Sequence, residues 1–152
     1  MDSALSSPQF FAGDFRHQID GKNRVTIPSR WRRNGEVEEF ILLPEQNLQC
    51  LLVMPPEEFA RFGSAAISQP GLSARDARVF QRQLPARAQH GSSDKQGRLV
   101  LPDDLCKKLE LKSEVALVGG AGRFEIWNLS RWKRAHEDEH STYQHVANLV
   151  GL

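Results

Sequence analysis

The sequence contains one nine-residue pattern twice, as DGKNRVTIP at residues 20–28 and as DKQGRLVLP at residues 94–102. Each copy has an Asp, three residues rich in Gly, Lys and side-chain amides, an Arg, an apolar–x–apolar step and a Pro. The offset between the copies is constant, because 94 − 20, 98 − 24 and 102 − 28 all equal 74. Such a repeat predicts that the fold is built from two copies of one supersecondary unit.

The repeat extends beyond the motif on its C-terminal side. In both copies, alternating apolar residues after the arginine predict a short strand, and the proline that follows suits the first turn of a short helix. Two more strands and a helix follow in each half: EEFILLP, LQCLLVM and PPEEFARF in the first, and EVALVG, RFEIW and NLSRWKRAHEDEH in the second, where Asn128 is placed as N-cap. The stretch QHGSSD before the second motif lacks apolar alternation, so we expect its strand pairing to be weaker or shifted.

The chain divides into four segments on this pattern. Residues 14–61 and 89–132 form the two repeats. Residues 62–88 are expected to be a linking segment whose helix, SARDARVFQRQL, packs on the core and ends at Pro85. Residues 133–152 are expected to form a packed helix or a frayed tail.

The size of each repeat predicts how the two associate. A unit of about 45–50 residues is marginal as an independent core, and its short strands would leave unpaired edges. Both problems are relieved if the repeats exchange strands and close one shared barrel. We therefore predict a mainly β fold with short helices (α+β class), a pseudo-twofold double-repeat β-barrel that places the twin turns at related positions on one surface.

The acidic residue that starts each motif, Asp20 or Asp94, is the expected closing group of a tight turn. Its carboxylate can accept hydrogen bonds from backbone N–H groups two or three residues further on. Positive φ angles are easiest for glycine and next easiest for asparagine. Turn formation is therefore assigned to Gly21 and Asn23 in the first copy and to Gly97 in the second.

The arginine that ends each turn, Arg24 or Arg98, is a long cation on a rigid base. Such a base limits the side-chain entropy that the guanidinium loses when it binds a partner, and Lys22, Lys95 and Gln96 add donors nearby. The D-x-x-x-R spacing also fits an Asp–Arg pair that only closes a β-turn. Duplication of the exposed amines and amides favours a surface that binds a partner.

Composition and charge restrict the class of protein. The 152-residue chain has 39% hydrophobic and 26% charged residues, as in soluble globular proteins. No apolar run approaches the roughly 18–20 residues that span a bilayer, and the start MDSALSSPQFFAGDF has no features of a secretory signal. The formal net charge is +1, but arginines and lysines concentrate in residues 16–33 and 75–87, so the positive field is local and includes the first motif.

The cysteines and tryptophans are expected to be structural. Cys50 and Cys106 lie in apolar sequence without metal-ligand spacing, which is typical of buried free thiols in a cytoplasmic protein. Trp31, Trp127 and Trp132 alternate with aliphatic residues, which favours packing in the core or at a subunit interface over stacking on DNA bases.

The stretches FRHQIDGKNRVTIPSRWR, HGSSDKQGRLVLPDDL and LVGGAGRFEIWNLSRW together resemble the MraZ family of bacterial transcriptional regulators, built from two SpoVT/AbrB-type swapped-hairpin repeats. The resemblance covers roughly residues 14–135 and implies an AbrB-like β-barrel with short helices. It places the family's D-x-x-x-R motif on Asp20 and Arg24, and again on Asp94 and Arg98, and the family implicates this arginine in DNA contact. Asn23 stands where the family usually has glycine.

The resemblance also implies a function. Family members assemble into rings and bind repeated short motifs upstream of the division and cell-wall gene cluster, which includes their own gene. We therefore expect a DNA-binding repressor of that cluster, a ring-shaped homo-oligomer on promoter direct repeats, cytoplasmic and associated with the nucleoid, with no membrane partner, cofactor, metal or catalytic residue. The expected DNA-binding residues are Arg24, Arg98, Lys22, Lys95 and Gln96.

Two other functional classes are an enzyme and a protein-interaction module. His17, His90, Asp20 and Asp94 could be assembled into an acid–base or metal site, but the sequence has no H-x-x-H, nucleophile elbow or phosphate loop. The glycine-rich GGAGR at 119–123 joins two strands and does not open a helix, so we expect no enzymatic activity. An antitoxin-like DNA-binding and protein-interaction module is the alternative, which a co-purifying partner would support.

Overall fold

The computed structural model describes residues 9–33 and 37–152. Residues 1–8, the start of the segment in which no secretory signal was expected, lie outside the described residues. The first half contains β1 (Phe10–Gln18), β2 (Arg24–Thr26), a 3-10 helix (Ser29–Trp31), β3 (Glu39–Pro44), β4 (Leu51–Met54), α1 (Pro56–Ser68) and α2 (Ala74–Ala86). The second half repeats this order with β5 (Gln89–Ser92), β6 (Arg98–Val100), α3 (Asp103–Leu109), β7 (Glu114–Ala121), β8 (Phe124–Asn128), α4 (Leu129–Asp138) and α5 (His140–Leu149).

The two halves exchange strands. The described strands form a six-stranded antiparallel sheet in the order β1-β7-β8-β4-β3-β5 and a two-stranded ribbon of β2 and β6. Replacing each strand by its counterpart in the other half (β1 by β5, β3 by β7, β4 by β8) reproduces the same order reversed. The predicted α+β fold with two interlocked repeats related by a pseudo-twofold axis is therefore confirmed.

The sheet is open and does not close into the barrel that we expected. The edge strands β1 and β5 are not joined by a further strand among the described residues, because β2 and β6 pair with each other. Each ribbon strand has only three residues. The two strands are related by the pseudo-twofold axis and pair with each other along their whole length. The ribbon therefore covers the core without completing a ring of strands.

Both faces of the sheet are covered. On one face the ribbon, the 3-10 helix and α3 enclose a core that includes Val25, Leu99 and Trp31, and the Trp31 ring contacts Phe11 and Phe124 edge-on or tilted. On the other face, α1 and α4 cover a second cluster. Its members include Ile41, Cys50, Leu52, Met54, Trp127 and Leu129, with Phe59 and Trp132 packed against them. The packing role expected for the tryptophans is confirmed in this chain.

The segment before the second motif pairs better than its sequence suggests. Residues of QHGSSD form β5, which pairs with β3 without a register shift, from Glu39 opposite Ser92 to Leu42 opposite Gln89. The expectation of weak or shifted pairing was therefore wrong. A Cβ on Gly91 would lie 2.9 Å from Cδ1 of Leu42, so the apolar packing at this position comes from the neighbouring strand.

The helices after each hairpin also correspond between the halves. α1 and α2 follow β4 as α4 and α5 follow β8, and α2 continues through Pro85 to Ala86, one residue further than expected. The C-terminal segment is helical as α5 and has no buried residue. Helix α1 spans the expected boundary between residues 61 and 62, so this boundary does not coincide with the end of an element. The four-segment division stays a prediction.

No helix in the described ranges is both long enough and apolar enough to cross a membrane.

Cys50 and Cys106 are buried and free, as predicted. Burial raises the pKa of both thiols, to about 11 for Cys106, so both stay protonated at neutral pH and are poor nucleophiles.

Candidate nucleic-acid interface

The first motif folds into a turn closed by its own aspartate. One carboxylate oxygen of Asp20, Oδ1, accepts hydrogen bonds from the backbone N–H of Lys22 at 2.9 Å and of Arg24 at 2.8 Å. The other oxygen, Oδ2, accepts from Nε of Arg24 at 2.7 Å. Asn23 occupies the left-handed position with φ of 60°, which asparagine tolerates better than most residues. One side chain thus shapes the turn and holds the arginine.

The second motif repeats this geometry bond for bond. Oδ1 of Asp94 accepts from the backbone N–H of Gln96 and of Arg98, both at 2.9 Å, and Oδ2 accepts from Nε of Arg98 at 2.7 Å. The left-handed position is taken by Gly97, with φ of 81°. The four residues after each aspartate differ between the copies at three positions, so the shared Asp and Arg carry the common geometry.

Each arginine donates from one guanidinium nitrogen to its aspartate and keeps the other two free of protein partners among the described residues. Its Nε is committed to the aspartate, and among the described residues no protein group bonds the terminal nitrogens Nη1 and Nη2 of Arg24 or Arg98. The two side chains are 28% and 37% exposed. The Asp–Arg pair therefore closes the turn and also aims a guanidinium outward, with two nitrogens free for a bidentate contact.

The aspartates remain ionised across the physiological range. The backbone N–H of the following arginine is the largest influence that lowers the pKa of each carboxyl below its ordinary value of 3.8, and the arginine side chain and a second backbone N–H add to it. Partial desolvation opposes these effects without reversing them. Both carboxylates are therefore charged, and able to accept from their arginines, at neutral pH.

The ribbon of β2 and β6 places the two arginines on one face. Val25 lies opposite Leu99, and both are buried in the core. Successive residues of a strand point to opposite faces, so Arg24 and Arg98, next to these residues, both point away from the core. Arg24 pairs with Val100, two residues from Arg98, and such diagonal neighbours have Cα atoms about 7–8 Å apart.

Backbone bonds between the copies lock the two turns together. The N–H of Ile27 donates to the carbonyl of Gly97 and the N–H of Leu101 donates to the carbonyl of Asn23, each at 2.8 Å. Each turn is thus held by the strand that follows the other turn. The two guanidinium groups belong to one rigid unit.

The remaining predicted residues surround these arginines. Gly21 lies in the exposed first turn, and the side chains of Lys22, Lys95 and Gln96 are exposed beside their arginines. Among the described residues they make no side-chain hydrogen bonds to protein groups. They are available to an anionic partner, as the sequence predicted, but their contact with DNA stays a prediction.

Asp103 and Arg32 also lie near the turns, although the sequence alone does not single them out. Nδ2 of Asn23 donates to Oδ1 of Asp103 at 3.4 Å across the pseudo-twofold axis, and the side chain of Arg32 lies against Gly97. Arg32 belongs to the basic run at residues 16–33, so its charge was a signal, whereas its position depends on the exchange of strands.

The histidines weighed for an enzyme site do not join the turns into a metal centre. Within the described parts of the chain, no group of three or more His, Cys, Asp or Glu side chains is placed to hold a metal ion. His17 lies on β1 and His90 on β5, at opposite edges of the sheet. Burial lowers the pKa of His17, which favours its neutral form.

Comparison with known proteins gives matches over nearly the whole chain. Residues 10–83 and 86–151 match a family described as "MraZ protein, putative antitoxin-like", and each matched segment contains one motif. The chain is 36% identical to the "Transcriptional regulator MraZ" of Desulforamulus reducens over 143 residues, which cover 93% of this chain and 99% of that protein. It is 34% identical to the protein of the same name from Clostridium tetani over 140 residues, 92% of this chain and 96% of that protein.

Proposed function

The chain belongs to the MraZ family, and from this premise we propose that it is a transcriptional regulator that binds specific double-stranded DNA through its two D-x-x-x-R turns. The observation that carries the proposal is the shared outward face of the ribbon. There, Arg24 and Arg98 are each held at Nε by an aspartate and present their terminal nitrogens to the outside.

The chemistry of this face suits the major groove. A guanidinium can donate two hydrogen bonds to O6 and N7 of guanine, a contact that distinguishes guanine from the other bases. The diagonal of about 7–8 Å between the arginines is close to two base-pair steps of about 3.4 Å each. One subunit would therefore contact a short sequence element, while Lys22, Lys95 and Gln96 bind phosphates and set the register.

Assembly would supply the affinity that one subunit lacks. We include in the proposal a ring-shaped homo-oligomer that engages short direct repeats in a promoter. Linked contacts to several repeats raise affinity by factors of about 10² to 10⁴ through effective concentration. The proposed target is the promoter of the division and cell-wall gene cluster that contains its own gene, where binding would repress transcription, and the proposed location is the cytoplasm, in association with the nucleoid.

Arginine removal tests the proposal. Arg24→Ala is expected to weaken binding to promoter DNA by about 1–3 kcal/mol for each lost base contact, and Arg98→Ala is expected to act similarly. Because base contacts carry the sequence information, binding to a duplex with scrambled repeats should fall much less. Affinities for both duplexes, measured by gel retardation or fluorescence anisotropy at fixed salt, give the comparison.

The matched control is Arg82→Ala, which removes an exposed arginine from helix α2 and should leave the preference for promoter DNA unchanged. If Arg24→Ala and Arg98→Ala fold, assemble and bind the promoter as tightly as the unmodified protein, the turns are not the recognition site. If the unmodified protein binds promoter and scrambled DNA equally, it is not a sequence-specific binder.

A further inference from the structure

The side chain of Arg32 lies directly across the second turn. It follows the 3-10 helix of the first half and reaches Gly97 in the second half. A Cβ added to Gly97 would lie 2.5 Å from Nη1 of Arg32, 2.6 Å from its Cδ and 2.7 Å from its Cζ. Glycine at this position therefore serves two needs, the left-handed φ of 81° and the space that the Arg32 guanidinium occupies.

The Arg32 cation forms no salt bridge with a described residue. Its Nε is buried and has no hydrogen-bond partner, and no salt bridge joins its guanidinium to a described carboxylate. Asp94, the acidic residue of the adjacent turn, is already bonded to Arg98 and to two backbone N–H groups. A partly desolvated cation without a partner is costly.

The equivalent place beside the first turn is built differently. The offset of 74 relates Arg32 to Cys106 and Gly97 to Asn23. Cys106 is a short buried side chain. Asn23 Nδ2 donates to Asp103, which pairs with Lys107 Nζ at 3.1 Å. The second turn thus has a cation without a salt bridge to a described residue, while the cation near the first turn, Lys107, is paired with Asp103.

We infer that Arg32 binds a phosphate of the DNA backbone beside the second turn, a contact that the first turn lacks, so that the two turns of one subunit hold the duplex unequally. The inference rests on the proposed DNA binding. Guanidinium and phosphate form strong charge-assisted hydrogen bonds, and the phosphate supplies the ionic partner that the described protein residues do not. A phosphate contact positions the duplex and carries no sequence information itself.

Salt dependence separates this contact from a structural role. Each phosphate contact to B-DNA contributes about −0.9 to the slope of log affinity against log salt concentration, which corresponds to an about 3.5-fold loss of affinity for a fourfold rise in salt. Arg32→Met, which keeps an unbranched stem without charge, should therefore make the slope shallower by about 0.9 for each second turn engaged. It should weaken binding to promoter and scrambled duplexes by the same factor.

Arg32→Lys restores the charge and should restore most of the slope, which a packing role alone would not do. Arg82→Met removes the same charge from helix α2 and should keep the slope of the unmodified protein. Arg32→Gln, which retains a polar head, repeats the test if Arg32→Met does not give a folded protein by circular dichroism. Unmodified duplexes of the promoter and its scrambled form are the probes throughout.

The inference is overturned if folded Arg32→Met or Arg32→Gln keeps the affinity and salt slope of the unmodified protein. It is equally overturned if only promoter binding falls, since that result would indicate a base contact. Failure of the proposed function looks different, because the unmodified protein would then show no preference for promoter DNA.

Discussion

The aspartate at the start of each turn performs two tasks with two oxygen atoms. Oδ1 of Asp20 binds the backbone N–H groups of residues two and four positions further on, and Oδ2 binds the Arg24 side chain. The sequence predicted an Asp-closed turn and a possible Asp–Arg pair. It could not show that both form together, since this depends on the rotamer by which Arg24 directs Nε inward and its terminal nitrogens outward.

The pKa of Asp20 tests which group of Arg24 acts on this carboxylate. Because the backbone N–H of Arg24 is the largest influence that lowers it, Arg24→Ala should raise this pKa only part of the way to 3.8. Carboxyl carbon shifts followed by NMR during acid titration measure it. Asp94, left unmodified in this variant, should titrate as before and serves as the internal control.

The same shift has a consequence for stability. Since the folded-state pKa of Asp20 lies below the ordinary 3.8, its stabilising contribution is complete above pH 3.8 and is lost as the pH falls through the lower folded value. The turns should therefore remain formed at neutral pH and open in strong acid.

The titration of Arg24→Ala has one contradicting outcome. A pKa of Asp20 in this variant that returns fully to 3.8 would show that the arginine side chain, and not its backbone N–H, lowers the pKa.

The ribbon of β2 and β6 connects the core to the outward face that carries both arginines. Its inward residues Val25 and Leu99 are fully buried, and its outward neighbours Arg24 and Arg98 flank them. Alternation of apolar residues predicted both short strands correctly. Their mutual pairing was not predictable from three residues each, because so short a pattern does not specify a partner.

Leu99→Ala should destabilise the fold by about 2–5 kcal/mol, the usual cost of removing a buried leucine side chain. Val100→Ala, on the next residue, is the control, since Val100 is 53% exposed and its truncation should cost less than about 0.5 kcal/mol. Urea unfolding followed by tryptophan fluorescence gives both values. Equal losses in the two variants would contradict the assignment of the inward and outward faces.

Two elements show where sequence patterns fail. Strand β1 was not predicted, because a register shift between Phe11 and Asp14, at Gly13 with φ of 115°, interrupts its alternation. Strand β5 was expected to be weak because its own residues are polar. It is well paired because Leu42 of the adjacent strand supplies the apolar contact at Gly91, which a local pattern does not contain.

Strand exchange makes each half of the molecule depend on the other. β1 pairs with β7, β2 with β6, β3 with β5 and β4 with β8, and every one of these pairings joins the two halves. The sequence predicted this exchange because each half is too small for its own core. It did not predict the open sheet, since closure depends on which strands the ribbon pairs with.

This dependence predicts how fragments behave. A chain of residues 9–86 should not form a stable folded monomer, because only β3 and β4 would keep a partner within it among the described strands. Mixing it with residues 87–152 should restore a cooperative unfolding transition. Circular dichroism melting and sedimentation of each fragment and of the mixture measure this, and a folded monomer of either fragment alone would refute the prediction.

The difference between the two turns makes the two ends of the molecule unlike, so that the molecule has a polarity. A dimer of identical halves would look the same from either end and would suit an inverted, palindromic target. Here Arg32 lies on Gly97 at one end, and Asn23 binds Asp103 at the other. Turning the subunit end over end therefore exchanges unlike surfaces. With the proposed DNA binding, this difference would favour one direction along the duplex, and successive subunits would follow a target whose units all run the same way.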